Sequence, residues 1–208
     1  MRRQWIRRVF PIAIVVLTGH LVLAGSEPIE LGKQPGQTKG RWLKVHDPDR
    51  LATYREVVIG DIETEIVWKK DGKETPIDEQ LLRDRIRQEL TETLRASGLF
   101  ERVWDASPES GRTGVLRIDC DLLVEPGNRA ARYVVGLGAG KSKSVLELHL
   151  EDFADGRELG LYHGYGVGSG LGFKVAGGGA RKMTEDDVQE NAKMFGELLK
   201  EAYGRVRG

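Results

Sequence analysis

Two alternating segments constrain this chain more than any other feature. In VLRIDCDLLV, residues 115–124, Leu116, Ile118, Cys120, Leu122 and Val124 fall on one side, with Arg117, Asp119 and Asp121 on the other. SVLELHLED repeats the pattern through Val145 or Leu146, then Leu148 and Leu150. A period of two with one apolar face specifies a sheet whose second face is wet or given over to polar contacts. EPGNR reads as a turn out of the first segment, AARYVVGL as a returning strand, and ADG at 154–156 as a tight reversal into RELGLYHGYG. The sum is an antiparallel meander. Upstream, YREVVIG and DIETEIVW place Ile62, Ile66 and Trp68 at strand spacing, with Gly60 marking a break or bulge.

A sheet with one apolar face needs a cover, and two amphipathic helices supply it. TPIDEQLLRDRIRQELTETLRASG starts with Thr75 as cap, Pro76 at the first helical position and Asp78 completing a capping box. Ile77, Leu81, Leu82, Ile86, Leu90 and Leu94 form its stripe, Arg83, Arg87 and Glu92 face water, and Gly98 is the stop. MTEDDVQENAKMFGELLKEAYG is the second helix. Thr184 is its expected cap, with Asp187 closing the box, Met183 stapling onto Val188, and Val188, Ala192, Phe195, Leu199 and Tyr203 as its stripe. The expected fold is therefore α+β, a two-layer sandwich of a mainly antiparallel sheet and two amphipathic helices. Nine of the twenty positions from 160 to 179 are glycine, which reads either as a contact surface or hinge just before the last helix or as a plain linker.

The N-terminus reads as an export signal. Four arginines precede an apolar stretch ending in small residues, with the expected cut after Ala24. The sixteen residues from 9 to 24 are short for a bilayer span. Residues 25–41 read as a flexible leader and 42–208 as one domain. Cleavage leaves 28 basic against 32 acidic side chains, a net charge of −4, which gives no electrostatic case for binding nucleic acid. Cys120 is the only cysteine, so no internal disulfide forms, and its phase with the leucines marks it as a core residue.

No catalytic constellation emerges. GLGAGKS at 136–142 ends like a phosphate loop, with Gly140, Lys141 and Ser142 in place. However, Val135 stands where the pattern needs its first glycine, and a strand follows where a helix should receive the anion. Ser169 lacks the glycine of a nucleophile elbow, since Val167 occupies that place. Asp119, Asp121, Glu147 and His149 share a polar sheet face, as do His163 and Tyr165 further on. Alternation makes such groups face the same way without making them converge on a metal. The expectation is no metal and no cofactor.

The stretch from 116 to 160 resembles the bacterial exported and lipoprotein family catalogued as domain of unknown function 4410. Asn128, Arg129, Arg132, Gly136, Gly138, Gly140, Asp152 and Gly156 carry the resemblance, which extends over about residues 50 to 203. The resemblance implies an envelope protein whose motifs are structural in appearance, and it brings no known catalysis, ligand or partner with it. Where lipoprotein relatives place a cysteine after Leu-Ala-Gly, this chain has Ser26, which cannot form the thioether to lipid. The resulting expectation is an unlipidated protein of the periplasm or extracellular space that binds an envelope protein. The alternative is a small-ligand binder or hydrolase working from the Asp119, Asp121, Glu147 and His149 face. A membrane-active glycine segment ranks last, since it carries Lys174 and lacks a long apolar run.

Overall fold

The structure, a computed structural model, describes residues 26–33, 38–67, 78–125, 143–167 and 180–207, without the side chains of 167 and 180–185. Seven strands are described: β1 (Ile29–Lys33), β2 (Arg41–Val45), β3 (Glu56–Ile66), β4 (Arg102–Trp104), β5 (Val115–Glu125), β6 (Lys143–Asp152) and β7 (Glu158–Val167). They form one mixed sheet in the order β1-β2-β7-β6-β5-β3-β4. Three helices accompany it: α1 (Pro48–Leu51), α2 (Glu79–Ser97) and α3 (Ala180–Arg207). Among the described residues no helix is long and apolar enough to cross a membrane.

The alternation in β5 and β6 sets the core. Leu116, Ile118, Cys120, Leu122 and Val124 are buried, and so are Leu146, Leu148 and Leu150, their partners across the antiparallel ladder. Register carries the same face outward through Tyr162 on β7, Leu43 and Val45 on β2, and Leu31 on β1. Against it lie Leu82, Ile86, Leu90 and Leu94 of α2 and Val188, Ala192, Phe195, Leu199 and Tyr203 of α3, all buried in one continuous cluster.

The sheet departs from a pure meander at β3. This strand runs parallel to both β4 and β5 because the nineteen-residue α2 carries the chain back before β4 begins. YREVVIG and DIETEIVW are one strand, with a register shift between Ile59 and Ile62, so of the break or bulge expected at Gly60 it is the bulge-like irregularity that occurs. A Cβ at Gly60 would lie 2.0 Å from the Asp119 carboxylate.

Several sequence expectations are corrected. Ile29–Lys33, inside the stretch read as a leader, is a strand: Leu31 is only 3% exposed, and its pairing with Leu43 supplies the burial that the local sequence does not advertise. In α2, Asp78 is itself the N-cap, accepting from the Leu81 N–H at 3.1 Å, since aspartate is among the strongest capping residues. Thr75, Pro76 and Ile77 lie outside the described residues. Leu81 is 38% exposed, because adjacent leucines on a helix diverge by about 100° and Leu82 takes the inward place. Gly98 ends α2 with φ 67°. Helix α3 starts at Ala180, so Thr184 lies within it and does not cap it. The segment from Ala180 to Met183 contains good helix formers and no breaker.

Candidate functional site

The face of the sheet opposite the helices gathers the polar side chains. Register sets Asp119 opposite His149 and Asp121 opposite Glu147 on β5 and β6, then Glu147 opposite His163 on β7. The structure thus brings Asp119, Asp121, Glu147 and His149 onto one face, where they divide among three different sets of partners and do not converge on one point. Arg117 Nε donates to Asp119 Oδ1 at 2.7 Å, and its Nη2 reaches Asp61 Oδ2 at 2.8 Å. His149 Nε2 lies 3.4 Å from Asp121 Oδ2. Glu147 Oε1 lies 3.0 Å from His163 Nδ1, whose other ring nitrogen is 3.2 Å from the Thr38 carbonyl oxygen. Trp42 stacks on that imidazole with centroids 5.3 Å apart.

Asp119 has a structural task within this set. Its Oδ1 also accepts the Asp61 N–H at 2.9 Å, which ties down the displaced backbone at the β3 register shift. Glu151, one step along β6, has its carboxyl held above the usual range by burial and by the charge of Asp119, with Arg117 opposing. No group of three or more His, Cys, Asp or Glu arranged to hold a metal occurs among the described residues. The Cys120 thiol is buried and its pKa is pushed far up, first by burial and then by Asp121 and Asp119, so it stays protonated and unreactive.

Asp152 and Gly156 sit elsewhere, at the turn between β6 and β7. Asp152 Oδ2 accepts from the Tyr54 hydroxyl at 2.5 Å and from Arg50 Nη2 at 2.6 Å, while its Oδ1 accepts the Ala154 N–H at 2.7 Å. The Gly156 N–H closes the turn on the Asp152 carbonyl at 2.8 Å, with φ 67°. Burial works to raise the Asp152 carboxyl's pKa, but bonds from Tyr54, Ala154 and Arg50 outweigh it and leave the group below the usual range. The Tyr54 hydroxyl is pushed up to about 12, chiefly by burial and then by Asp152, which keeps it a donor. Asp152 therefore fastens α1 and the following Tyr54 to the sheet, while Gly156 closes the turn that carries Asp152. Arg129, Arg132, Gly136, Gly138, Gly140 and Ser169 lie outside the described residues.

Sequence reasoning missed a polar seam beneath α3. Tyr162 Oη lies 3.1 Å from both the backbone and side-chain oxygens of Asn191, Asn191 Nδ2 donates to the Asp187 carbonyl at 2.9 Å, and Ser144 Oγ donates to Asp187 Oδ2 at 3.0 Å. Arg41 closes the rim on Glu190 at 2.6 Å. The available signal was Gly164, which falls on the buried face of β7 beside Tyr162. A Cβ there would stand 2.3 Å from Asn191 Oδ1. Trp42 over His163 was also missed, since no periodicity links β2 to β7.

No curated protein matches the chain. Among solved structures it is similar to two PelC dodecamers from Paraburkholderia phytofirmans. A point variant in space group C2 shows 13% identity and a TM-score of 0.34, covering 68% of this chain and 86% of that one. A second dodecamer, in space group P6, shows 12% identity and a TM-score of 0.35, covering 68% and 89%. Residues 50–204 match the family described as Domain of unknown function (DUF4410), and the chain belongs to that family.

Proposed function

We propose that this protein is a non-enzymatic, exported binding module that docks another envelope protein on the helix-free face of its sheet. The observation that supports the reading is the state of that face. Leu123, Val145, Leu161 and Tyr165 point outward and remain partly exposed beside ion pairs, with no helix over them among the described residues. Protein interfaces combine such half-buried apolar groups with a polar surround. On this reading the export signal is cleaved after Ala24, the protein reaches the periplasm or extracellular space, and Ser26 leaves it without a lipid anchor. Ser26 is held at the body of the fold, its hydroxyl donating to Asp49 Oδ2 at 2.6 Å.

A hydrolase or small-ligand site on Asp119, Asp121, Glu147 and His149 is the weaker reading. General acid–base work needs groups aimed at one reacting atom. Here Asp119 faces the backbone of β3 and Arg117, Asp121 faces His149, and Glu147 faces His163.

In-cell cross-linking of the tagged, exported protein with mass spectrometry tests the proposal. A reproducible envelope partner linked through the outward positions of β5, β6 or β7 is expected. A protein that yields only self-links or none, and whose activity on a ligand disappears when the four side chains are removed, would sink it.

A further inference from the structure

The edge of the sheet at β3 is only partly used. β4 pairs with Glu56, Val57 and Val58 alone, and beyond them β3 continues with β5 on one side. Among the described residues no strand lies on the other side of residues 61–66. Alternate backbone N–H and C=O groups of this run point into the open edge, a template for another strand. Its side chains divide cleanly. Ile62, Thr64 and Ile66 share the core face of Cys120, Leu122 and Val124, and Ile62 and Ile66 are only partly buried against the core. Glu63 and Glu65 point to the other face, both exposed, with no hydrogen-bonded or ionic partner among the described residues. Glu63 is also opposite Asp121, which is itself opposite Glu147, so three carboxylates stand in one row across three strands. Like charges placed directly opposite each other destabilise a sheet. Among the described residues, His149 lies beside Asp121 and His163 beside Glu147, while Glu63 has no such neighbour.

We propose that residues 61–66 form an acceptor edge for an extended, basic segment of a partner protein, which adds as a strand beside β3 and sets lysine or arginine side chains against Glu63 and Glu65. This deepens the protein-binding reading and rests on it. Main-chain hydrogen bonds along the edge supply affinity, alternate side chains supply specificity, and the incoming strand's other face covers Ile62 and Ile66. The acidic row selects the sign of the partner.

The test uses the mature chain and two synthetic nonapeptides, one alternating lysine with threonine and one alternating glutamate with threonine. Amide hydrogen exchange is followed residue by residue, and affinity by titration. The lysine peptide is expected to protect amides within residues 61–66, and the glutamate peptide to bind nowhere. Exchanging both acids in E63K/E65K should weaken lysine-peptide binding at least about tenfold, the product of two exposed pairs each worth about threefold. E63Q/E65Q, which keeps shape and removes charge, should fall between. If protection spreads instead over the outward positions of β5 to β7, the edge assignment is overturned while the protein-binding reading stands. Absence of binding overturns the edge assignment too. Concentration-dependent protection of residues 61–66 without peptide overturns it in favour of a second copy as the occupant.

Discussion

Replacing Asp152 by asparagine should loosen the joint between α1 and the sheet while preserving its shape. The carboxylate is 7% exposed and accepts three bonds, from Tyr54, Arg50 and the Ala154 N–H. Bonds to a charged acceptor contribute about 1.5–3 kcal/mol each, and neutral ones about 0.5–1.5. Removing the charge, and turning one of the two accepting oxygens into a donating Nδ2, therefore forfeits roughly 1 kcal/mol per bond. Arg50 retains Asp155 at 2.8 Å and is partly solvated, so its share is discounted. The expected loss is about 2 kcal/mol at pH 7. With a urea slope of about 2 kcal/mol/M, that moves the unfolding midpoint down by about 1 M. Asp152→Ala should lose more, about 3 kcal/mol, because the Tyr54 hydroxyl, 2% exposed as a residue, is then stranded. The carboxyl titrates below its usual range in the fold. Its contribution is complete above the unfolded-state value of about 3.9 and is lost as pH falls through the lower folded value, so the gap between wild type and D152N should close below about pH 4. A D152N midpoint within 0.2 M of wild type at pH 7, taken as roughly the resolution of the method, would refute the assignment of Asp152 as the anchor of this turn.

Gly164→Ala should destabilise by about 2 kcal/mol, since the new methyl meets Asn191 Oδ1 at 2.3 Å and that side chain is fixed by Tyr162 and the Asp187 carbonyl. Asn191→Ala in the same chain should recover part of the loss, which a double-mutant cycle in urea would report. Asp119→Ala and Asp121→Ala should differ: the first removes the acceptor of Asp61 N–H and Arg117 and should cost about 1–2 kcal/mol, while the second breaks an exposed 3.4 Å pair and should stay within about 0.5 kcal/mol. Equal losses would contradict the structural role given to Asp119. Burial holds the Asp187 carboxyl above its usual range against the pull of Ser144 and Arg41, with Glu190 and Asp186 adding to the rise. The charged form is the penalised one, so this group's contribution to stability improves as pH falls from neutral through the raised value toward about 4. Asp187→Asn should accordingly be no less stable than wild type at pH 7 by thermal melting, and should lose that advantage in acid.

Most of the fold was legible because burial repeats with a fixed period. Leu116 to Val124 and Leu146 to Leu150 declare a one-faced sheet, and Val188, Ala192, Phe195, Leu199 and Tyr203 declare the helix that covers it. Gly60 and Gly98 were legible for a different reason: a Cβ at Gly60 would meet the Asp119 carboxylate, and Gly98 takes a left-handed φ of 67° that side-chain-bearing residues disfavour. The strand at Ile29–Lys33 was not legible, because an edge strand needs one inward residue, here Leu31, and five residues hold too few positions to show a period. The parallel pairing of β3 was hidden too: strand direction is set by α2 returning the chain, which no local residue records. At the candidate site, alternation placed Asp119, Asp121, Glu147 and His149 on a common face. Their separate pairings depend on register between strands distant in sequence, as the approach of Trp42 to His163 also does.

The positions of the polar bonds bear on what the open face can do. Asp152 ties α1 to the end of β6, and Asp187, Asn191 and Tyr162 tie α3 to the underside of β6 and β7. Both sets lie off the helix-free face and stiffen the strands that present it. On that face, Asp119 spends its carboxylate on the β3 backbone, and His163 is clamped between Glu147 and the Thr38 carbonyl. A catalytic surface needs groups free to change partners during a reaction, whereas a docking surface gains from groups already immobilised, because less side-chain freedom is lost when a partner arrives. The paired groups on β5 to β7 meet the second requirement. Glu63 and Glu65, exposed and unpaired among the described residues and beside an edge that no described strand fills, are where the proposed basic strand would find charge not already neutralised from within the chain.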